Sequence, residues 1–342
     1  MESTSEHRLV DNVDAEPSTR KRAPKNRTLT LSADDRRRLA GRVLRIENHD
    51  AHVPLPLGRT VCGDSFQCLP MAPKEVVDLV VLDPPYNLNK TFNGRAFARR
   101  AVHEYTEWLD GVCGLIRPHL KETASIYICG DWFSSPSIFA AASKHFEVRN
   151  RITWEREKGR GAKANWKNSS EDVWFCTVSD QFTFHLDAVK LRRRVLAPYT
   201  EVDGAPKDWM RTDGGNFRDT CPSNFWSDIT VPFWSMPENT DHPTQKSEKL
   251  VAKLILASSS PGDVVLDPFL GSGTTSVVAR KLRRRFIGIE LDHEYCLLAE
   301  RRLELAVDDT RIQGFDDGVF WERNSQPSAR TQDGKVPTLD FA

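Results

Sequence analysis

Glu75-Val-Val-Asp-Leu-Val-Val-Leu82 runs directly into Asp83-Pro84-Pro85-Tyr86. The first eight residues are β-branched and leucine-rich, short, and almost continuously apolar, the composition of a strand buried on both faces of a parallel sheet. Asp83 then falls at the carboxyl end of that strand, where open α/β sheets place their ligands. Two prolines in a row have no backbone N–H to donate and hold φ near −65°, so the carbonyls around them are fixed acceptors. A carboxylate, a rigid carbonyl and an aromatic face together suit a planar amino group. A strand ending in a proline turn with an exposed acid would use the same four residues.

A second stretch has related logic. Val264-Val-Leu-Asp267-Pro268-Phe269-Leu-Gly271-Ser272-Gly273-Thr274-Thr275 predicts a strand, a glycine turn and a helix continuing to Leu282. Glycine tolerates positive φ and lets a ligand approach the backbone. Arg285-Phe-Ile-Gly-Ile-Glu290 follows as another strand ending in an acid, placed to accept from both hydroxyls of a ribose. Alone, such a turn serves any nucleotide, or none. The Gly-x-Gly-x-x-Gly pattern of nicotinamide and flavin enzymes is missing here, and that chemistry gives Asp83-Pro-Pro-Tyr86 no task.

Taken together, Asp83-Pro-Pro-Tyr86 and Phe269-x-Gly271-x-Gly273 resemble the DNA amino-methyltransferases. The catalytic motif precedes the cofactor motif, and His242-Pro-Thr244-Gln-Lys246 stands just before the latter, an order similar to the β class of that family. The resemblance spans about residues 59–306. Its departure is Ser247, where the family has proline; serine is itself a good helix N-cap.

The resemblance implies a Rossmann-like, doubly wound, mostly parallel α/β sheet carrying a target-recognition insertion. The implied cofactor is S-adenosyl-L-methionine and the partner is double-stranded DNA, with the target base flipped out of the duplex. Asp83 and the Pro84 carbonyl would hold the amino group within the Asp83, Pro84, Pro85, Tyr86 motif, and Tyr86 would stack on the base. Asp267 and Phe269 would set the cofactor turn, Gly271 and Gly273 would let the methionine moiety approach beside Thr274, and Glu290 would hold the ribose. Asp64 would lie near the adenine or ribose, although a turn-capping aspartate is an equal account of it. Thr244 and Lys246 would meet the cofactor's carboxylate end. In the family, aspartate at the first motif position accompanies adenine and serine accompanies N4-cytosine. Adenine N6 is therefore the expected target, with cytosine N4 as the alternative and a non-catalytic DNA-binding descendant behind it. A separate cognate restriction endonuclease and a homodimer remain open as partners.

Composition frames this as a globular chain: 39% hydrophobic and 28% charged residues leave room for a sizeable core. No apolar run reaches the length of a membrane span and the amino terminus lacks a secretory apolar segment, so a cytoplasmic location is expected. Seven scattered cysteines without a Cys-x-x-Cys pair support neither a disulfide framework nor a metal site. Three regions are expected in the 342 residues. Residues 1–58 form an arm, partly disordered around Arg20-Lys-Arg-Ala-Pro-Lys-Asn-Arg27, with one short helix capped by Ser32 whose face holds Leu39, Val43 and Ile46. Residues 59–307 form the methyltransferase domain: a catalytic half 59–189, an insertion at about 190–241, and a cofactor half 242–307. Residues 308–342 form a loosely held polar tail. In the catalytic half, helices over Tyr105–His119 and Ser137–His145 alternate with strands over Ala124–Cys129, Val148–Trp154 and Asp172–Val178, the signature of a parallel sheet between helical layers.

Net charge is formally zero, so phosphate contact depends on how charge is distributed. Two loops concentrate basic residues. Asn87–Arg100, with Lys90 and Arg95, is expected to be a mobile loop over the site, and Arg156–Asn168, with Arg160, Lys163, Trp166 and Lys167, is suited to DNA. Solvated surface loops are the plainer account of both. The long insertion holds Trp209, Trp226 and Trp234, for most of which a small core of their own is expected.

Overall fold

The protein is described here by a computed structural model covering residues 23–325, apart from 50, 93–94, 157–163, 197–198, 213 and 324, and without the side chains of 48 and 90–97. The chain begins with helix α1 (Ala33–Ala40), strands β1 (Leu44–Arg45) and β2 (Arg59–Cys62), a short helix α2 (Ser65–Cys68) and strand β3 (Val77–Leu82). A small hairpin, β4 (Lys90–Phe92) and β5 (Arg95–Phe97), precedes α3 (Val102–Ile116), β6 (Leu120–Gly130), α4 (Ser135–Ala142), β7 (Glu147–Glu155) and β8 (Ser170–Thr177). The insertion supplies β9 (Leu191–Arg194), β10 (Met210–Thr212), β11 (Gly215–Thr220) and β12 (Phe225–Trp226). Then come α5 (Glu248–Ser258), β13 (Val264–Asp267), α6 (Thr274–Lys281), β14 (Arg285–Glu290), α7 (His293–Asp308), β15 (Phe315–Asp316) and β16 (Val319–Trp321).

Nine strands form the main sheet in the order β1-β2-β14-β13-β3-β6-β8-β7-β12. The run from β1 to β6 is parallel throughout, and β3, beside β13, is the fifth of the nine strands. Because side chains alternate along a strand, β3 feeds two cores. Leu79 and Val81 pack with Leu250, Leu254 and Ile255 of α5, whereas Val80 and Leu82 pack with Leu109, Val112 and Ile116 of α3. Each such side chain, taken out of water, contributes roughly 1.5–3 kcal/mol. The expected fold class, a mostly parallel α/β sheet between helical layers, is the one observed.

Several local expectations change. β8 pairs antiparallel with both β6 and β7, so the sheet is mixed on this side of β6. Asn87–Arg100 is not wholly irregular: Lys90 to Phe97 pairs across β4 and β5. Helix α1 has the expected Ser32 capping box but stops at Gly41, so only Leu39 of the expected face lies on it. Leu39 and Val43 are nonetheless buried against Cys296 and Leu297 of α7. The first 58 residues are also less separate than expected, since β1 extends the main sheet from the edge of β2. The arm through residue 22 lies outside the described residues.

The tail differs most. It contributes β15 and β16 to a second sheet of five strands, ordered β10-β11-β9-β16-β15, in which β16 lies parallel to β9. Phe320 is fully buried there and Phe217 meets Trp321 edge-on at 5.2 Å. The polar composition after Asp308 hides this short aromatic run. Trp209 and Trp226 are buried as expected, but Trp234 is 49% exposed.

Candidate active site

The carboxyl ends of β3, β6, β13 and β14 open into one cavity of about 450 Å³. Asp64, the whole Asp83-Pro84-Pro85-Tyr86 motif, Thr244, Lys246, Asp267, Phe269, Gly271, Thr274 and Glu290 line it. The sheet order explains this convergence. β3 and β13 are neighbours although their sequences lie far apart, so their terminal acids share one rim.

The motif after β3 is held from both sides. The Tyr105 hydroxyl donates to the Pro85 carbonyl at 3.0 Å, and Asn87 N–H donates to Ser134 Oγ at 3.2 Å. Asn87 also closes the loop that follows: its side-chain amide donates to the Arg100 carbonyl at 3.0 Å and its oxygen accepts from Arg100 N–H at 2.7 Å. At the motif's centre is an ion cluster. Lys246 Nζ donates to both oxygens of Asp83 at 2.8 Å and to the Tyr86 hydroxyl at 3.1 Å, and lies 3.4 Å from Glu171 Oε2. Tyr86 donates to the same Glu171 oxygen at 3.2 Å, and Arg156 pairs with the other. Burial alone would depress the Lys246 ammonium, but the carboxylates of Asp83 and Glu171 outweigh it and hold it above its usual range. Burial, reinforced by the charges of Asp83 and Glu171, pushes the Tyr86 phenol well up, so it stays a neutral donor.

On the other side of the cavity the turn after β13 follows the sequence closely. Phe269 N–H donates to Asp267 Oδ1 at 3.0 Å, and Gly271 N–H to Glu290 Oε2 at 2.8 Å. Glu290 Oε1 accepts from Asp292 N–H at 2.8 Å. Burial raises both acids, Asp267 to about 7. Gly271 has φ +55° and Gly273 has φ +87°, values that favour glycine. Gly271 lines the cavity, consistent with ligand approach, whereas the reason for Gly273 differs. A Cβ on Gly273 would meet Cβ of Ala299 at 2.5 Å and its Cα at 2.8 Å, so this residue admits α7 against the turn and does not line the cavity. A Cβ on Gly271 would lie 3.1 Å from the His242 ring.

Between the two sides stands an aromatic shelf that sequence reasoning did not single out. Trp108 of α3 lies 5.6 Å from Tyr105, 5.8 Å from Phe269 and 6.2 Å from Phe66. Asp64, which caps α2 by accepting from Phe66 N–H at 2.8 Å, borders the same space. A flat apolar shelf beside Asp64 and Glu290 suits a purine carrying a ribose. These residues fit an adenosine cofactor, which Asp64, Glu290 and the Trp108 shelf would hold.

The expected DNA contacts are less concentrated. Lys90 and Arg95 stand on the two strands of the β4–β5 hairpin, while Arg160 and Lys163 lie outside the described residues. Trp166 is 92% exposed and Lys167 is exposed, both outside the cavity lining. Among the described residues, the Lys and Arg side chains that line it are Arg100, Arg156 and Lys246. Trp132, 64% exposed beside the Phe133 ring under Arg99, adds an aromatic face just after β6. Among the described residues no helix is long and apolar enough to cross a membrane.

Residues 77–301 match the DNA methylase model for N6 and N4 methyltransferases. The chain belongs to this DNA methylase family. It is 36% identical to the DNA adenine methyltransferase YhdJ of Escherichia coli (strain K12) over 71% of this chain and 82% of that one. With the type II methyltransferase M.HpaI of Haemophilus parainfluenzae it shares 31% identity over 75% of this chain and 76% of the relative. Among solved structures, the cytosine-N4-specific PvuII DNA methyltransferase superposes with a TM-score of 0.54 at 19% identity, covering 75% of this chain and 92% of that one. That likeness is one of fold. The DNA methylase match begins in β3 and ends in α7, so it takes in the whole cavity except the elements before β3.

Proposed function

We propose that this DNA methylase transfers a methyl group from S-adenosyl-L-methionine to adenine N6 in duplex DNA, as the modification half of a restriction-modification system. The observation that carries the proposal is the shared cavity: the Asp83 carboxylate and the Gly271 turn open into one space. Adenine is favoured by Asp83 at the head of its motif and by the adenine-specific relative from Escherichia coli.

When bound, the cofactor supplies an electrophilic methyl group on a sulfonium centre. The exocyclic nitrogen of adenine is a weak nucleophile because its lone pair is delocalised into the ring. Asp83 and the Pro84 carbonyl, each accepting one N–H, would draw that nitrogen toward a tetrahedral shape and aim its lone pair at the methyl. Binding to Asp83 strengthens as positive charge builds on nitrogen, which favours the transition state over the ground state, and the methylated nitrogen would then lose one proton to Asp83 or water. Tyr86 would stack on the base once it has left the helix, offsetting part of the few kcal/mol spent on unstacking. Glu290, Asp64 and the Trp108 shelf would hold ribose and adenine of the cofactor, with Thr244 and Thr274 near the turn. Arg100, Arg156, Trp166, Lys167 and the hairpin bearing Lys90 and Arg95 would face the DNA. A cytoplasmic location suits such an activity, and a separate endonuclease and self-association are open to test.

Two substitutions separate the halves. Asp83→Ala should lower methylation of unmethylated bacterial DNA by at least about 100-fold with cofactor affinity within about threefold, as expected of a group acting in the transition state. Glu290→Ala should chiefly weaken cofactor binding, measured by calorimetry. Loss of cofactor binding in Asp83→Ala would reverse these roles. Mapping the modified base in the product DNA decides between adenine N6 and cytosine N4.

A further inference from the structure

We propose that Glu171 is a positioning residue for methyl transfer: it is the second seat of the Lys246 ammonium, taking it from Asp83 when the target amino group enters. This rests on the methylation reading above. The geometry sets up a competition. Each Asp83 oxygen can accept more than one hydrogen bond, but Lys246 Nζ draws on both of them at 2.8 Å and so weakens Asp83 as an acceptor for an amino N–H. Leaving the ammonium there would also set a cation against the nitrogen on which positive charge develops.

A destination lies next to it. Glu171 Oε2 is 3.4 Å from Nζ, and the Tyr86 hydroxyl touches both groups, accepting from Lys246 at 3.1 Å and donating to Glu171 at 3.2 Å. Arg156 holds the other oxygen of Glu171, so the carboxylate is anchored before the ammonium arrives. Glu171 is 4% exposed, and a carboxylate so buried is a poor surface ornament; it persists where cations compensate it. A shift of Nζ that shortens the 3.4 Å contact frees one Asp83 oxygen without moving a proton or changing the charge of the cavity. Lys246 then draws mainly on Glu171, and the base sees a carboxylate with one acceptor open toward it. Glu171 reaches this place because β8 runs antiparallel to β6, which brings the start of β8 to the rim formed by the ends of the parallel strands.

The test is a double-mutant cycle in the full-length protein, with Glu171→Gln, Lys246→Met and the pair. Single-turnover methylation of unmethylated bacterial DNA, cofactor affinity and thermal stability are measured for each. Glu171→Gln keeps the size and a hydrogen-bonding oxygen but not the charge. It should lower the single-turnover rate by about 10-fold or more with cofactor affinity within about threefold, and that loss should shrink to about twofold or less in the Lys246→Met background. Equal losses in both backgrounds overturn the proposal, because Glu171 would then act independently of Lys246. Should Glu171→Gln fold poorly, Glu171→Asp, which keeps the charge, should recover most of the rate. Failure of that rescue in a folded protein also counts against it. A crystal structure of the wild type with duplex DNA and a demethylated cofactor should show Nζ nearer Glu171 than Asp83; Nζ still bridging both Asp83 oxygens with a base in place refutes the idea. If the wild type methylates no DNA at all, the functional reading fails and not this pairing alone.

Discussion

Asp267 sits at the end of β13 with 3% of its surface exposed and its carboxyl raised to about 7, chiefly by burial. Between the ordinary carboxylate range and about 7 the folded protein keeps a proton that the unfolded chain has lost. Stability therefore declines as pH rises through that window and levels off above it. Asp267→Asn removes the titration and keeps an oxygen for Phe269 N–H. Urea unfolding of the cofactor-free protein at about pH 4 and about pH 8 should show the variant gaining on the wild type by on the order of a few kcal/mol at the higher pH. Parallel behaviour at both pH values would mean that the folded Asp267 is already ionised in the acid range. At this scale the sequence was informative where chemistry is contiguous. Asp83-Pro-Pro-Tyr86 and the turn from Asp267 to Gly273 are single stretches, and their backbones do what their residue types require. Glu171 and Trp108 were missed because nothing local marks them; they reach the cavity only through strand order and helix packing. Lys246 was expected at the cofactor's carboxylate end and instead lies on Asp83. Gly273 was assigned to a ligand and instead accommodates α7.

Elements were legible in proportion to their periodicity. α3, α4 and α6 lie within a few residues of expectation, since helical repeats leave little freedom. β15 and β16 have two and three residues, too short for any alternation to register, and they were taken for tail. Their importance is open to measurement. Phe320 is fully buried between β9 and the Lys253 side of α5, where Lys253 Nζ lies 5.4 Å over its ring. Phe320→Ala should cost about 3–5 kcal/mol. Amide exchange should show where: β9 and β11 losing protection while β13 and β14 retain theirs. Equal loss across both sheets would mean that they unfold as one unit. Asp228 ties the same region down, accepting from Lys253 at 2.8 Å and lying 2.7 Å from Lys249 in a buried cluster between the insertion and α5.

Across the whole molecule, a net charge of zero conceals a division of labour. Within the cofactor half, Glu248 binds both Arg302 and Lys281. Arg100 and Arg156 stand at the cavity, Lys167 is exposed, and the hairpin from Lys90 to Phe97 lies in the loop closed by Asn87. DNA affinity should accordingly fall steeply as salt rises, with a log–log slope of roughly −0.9 per phosphate neutralised, while cofactor affinity stays nearly level. A flat salt response for DNA would remove the phosphate contacts from the account. The fold class was legible because alternating strands and helices admit few arrangements. The second sheet was not, since its strands come from both ends of the cofactor half.

That last arrangement bears on how the molecule is made. β9 emerges from the ribosome more than a hundred residues before its parallel neighbour β16, and the Gly271 turn and Glu290 of the pocket are translated in the interval. The nascent insertion must wait with one flank of β9 uncovered. Its sheet is completed only after the pocket has been synthesised, so the chain acquires its finished second module last.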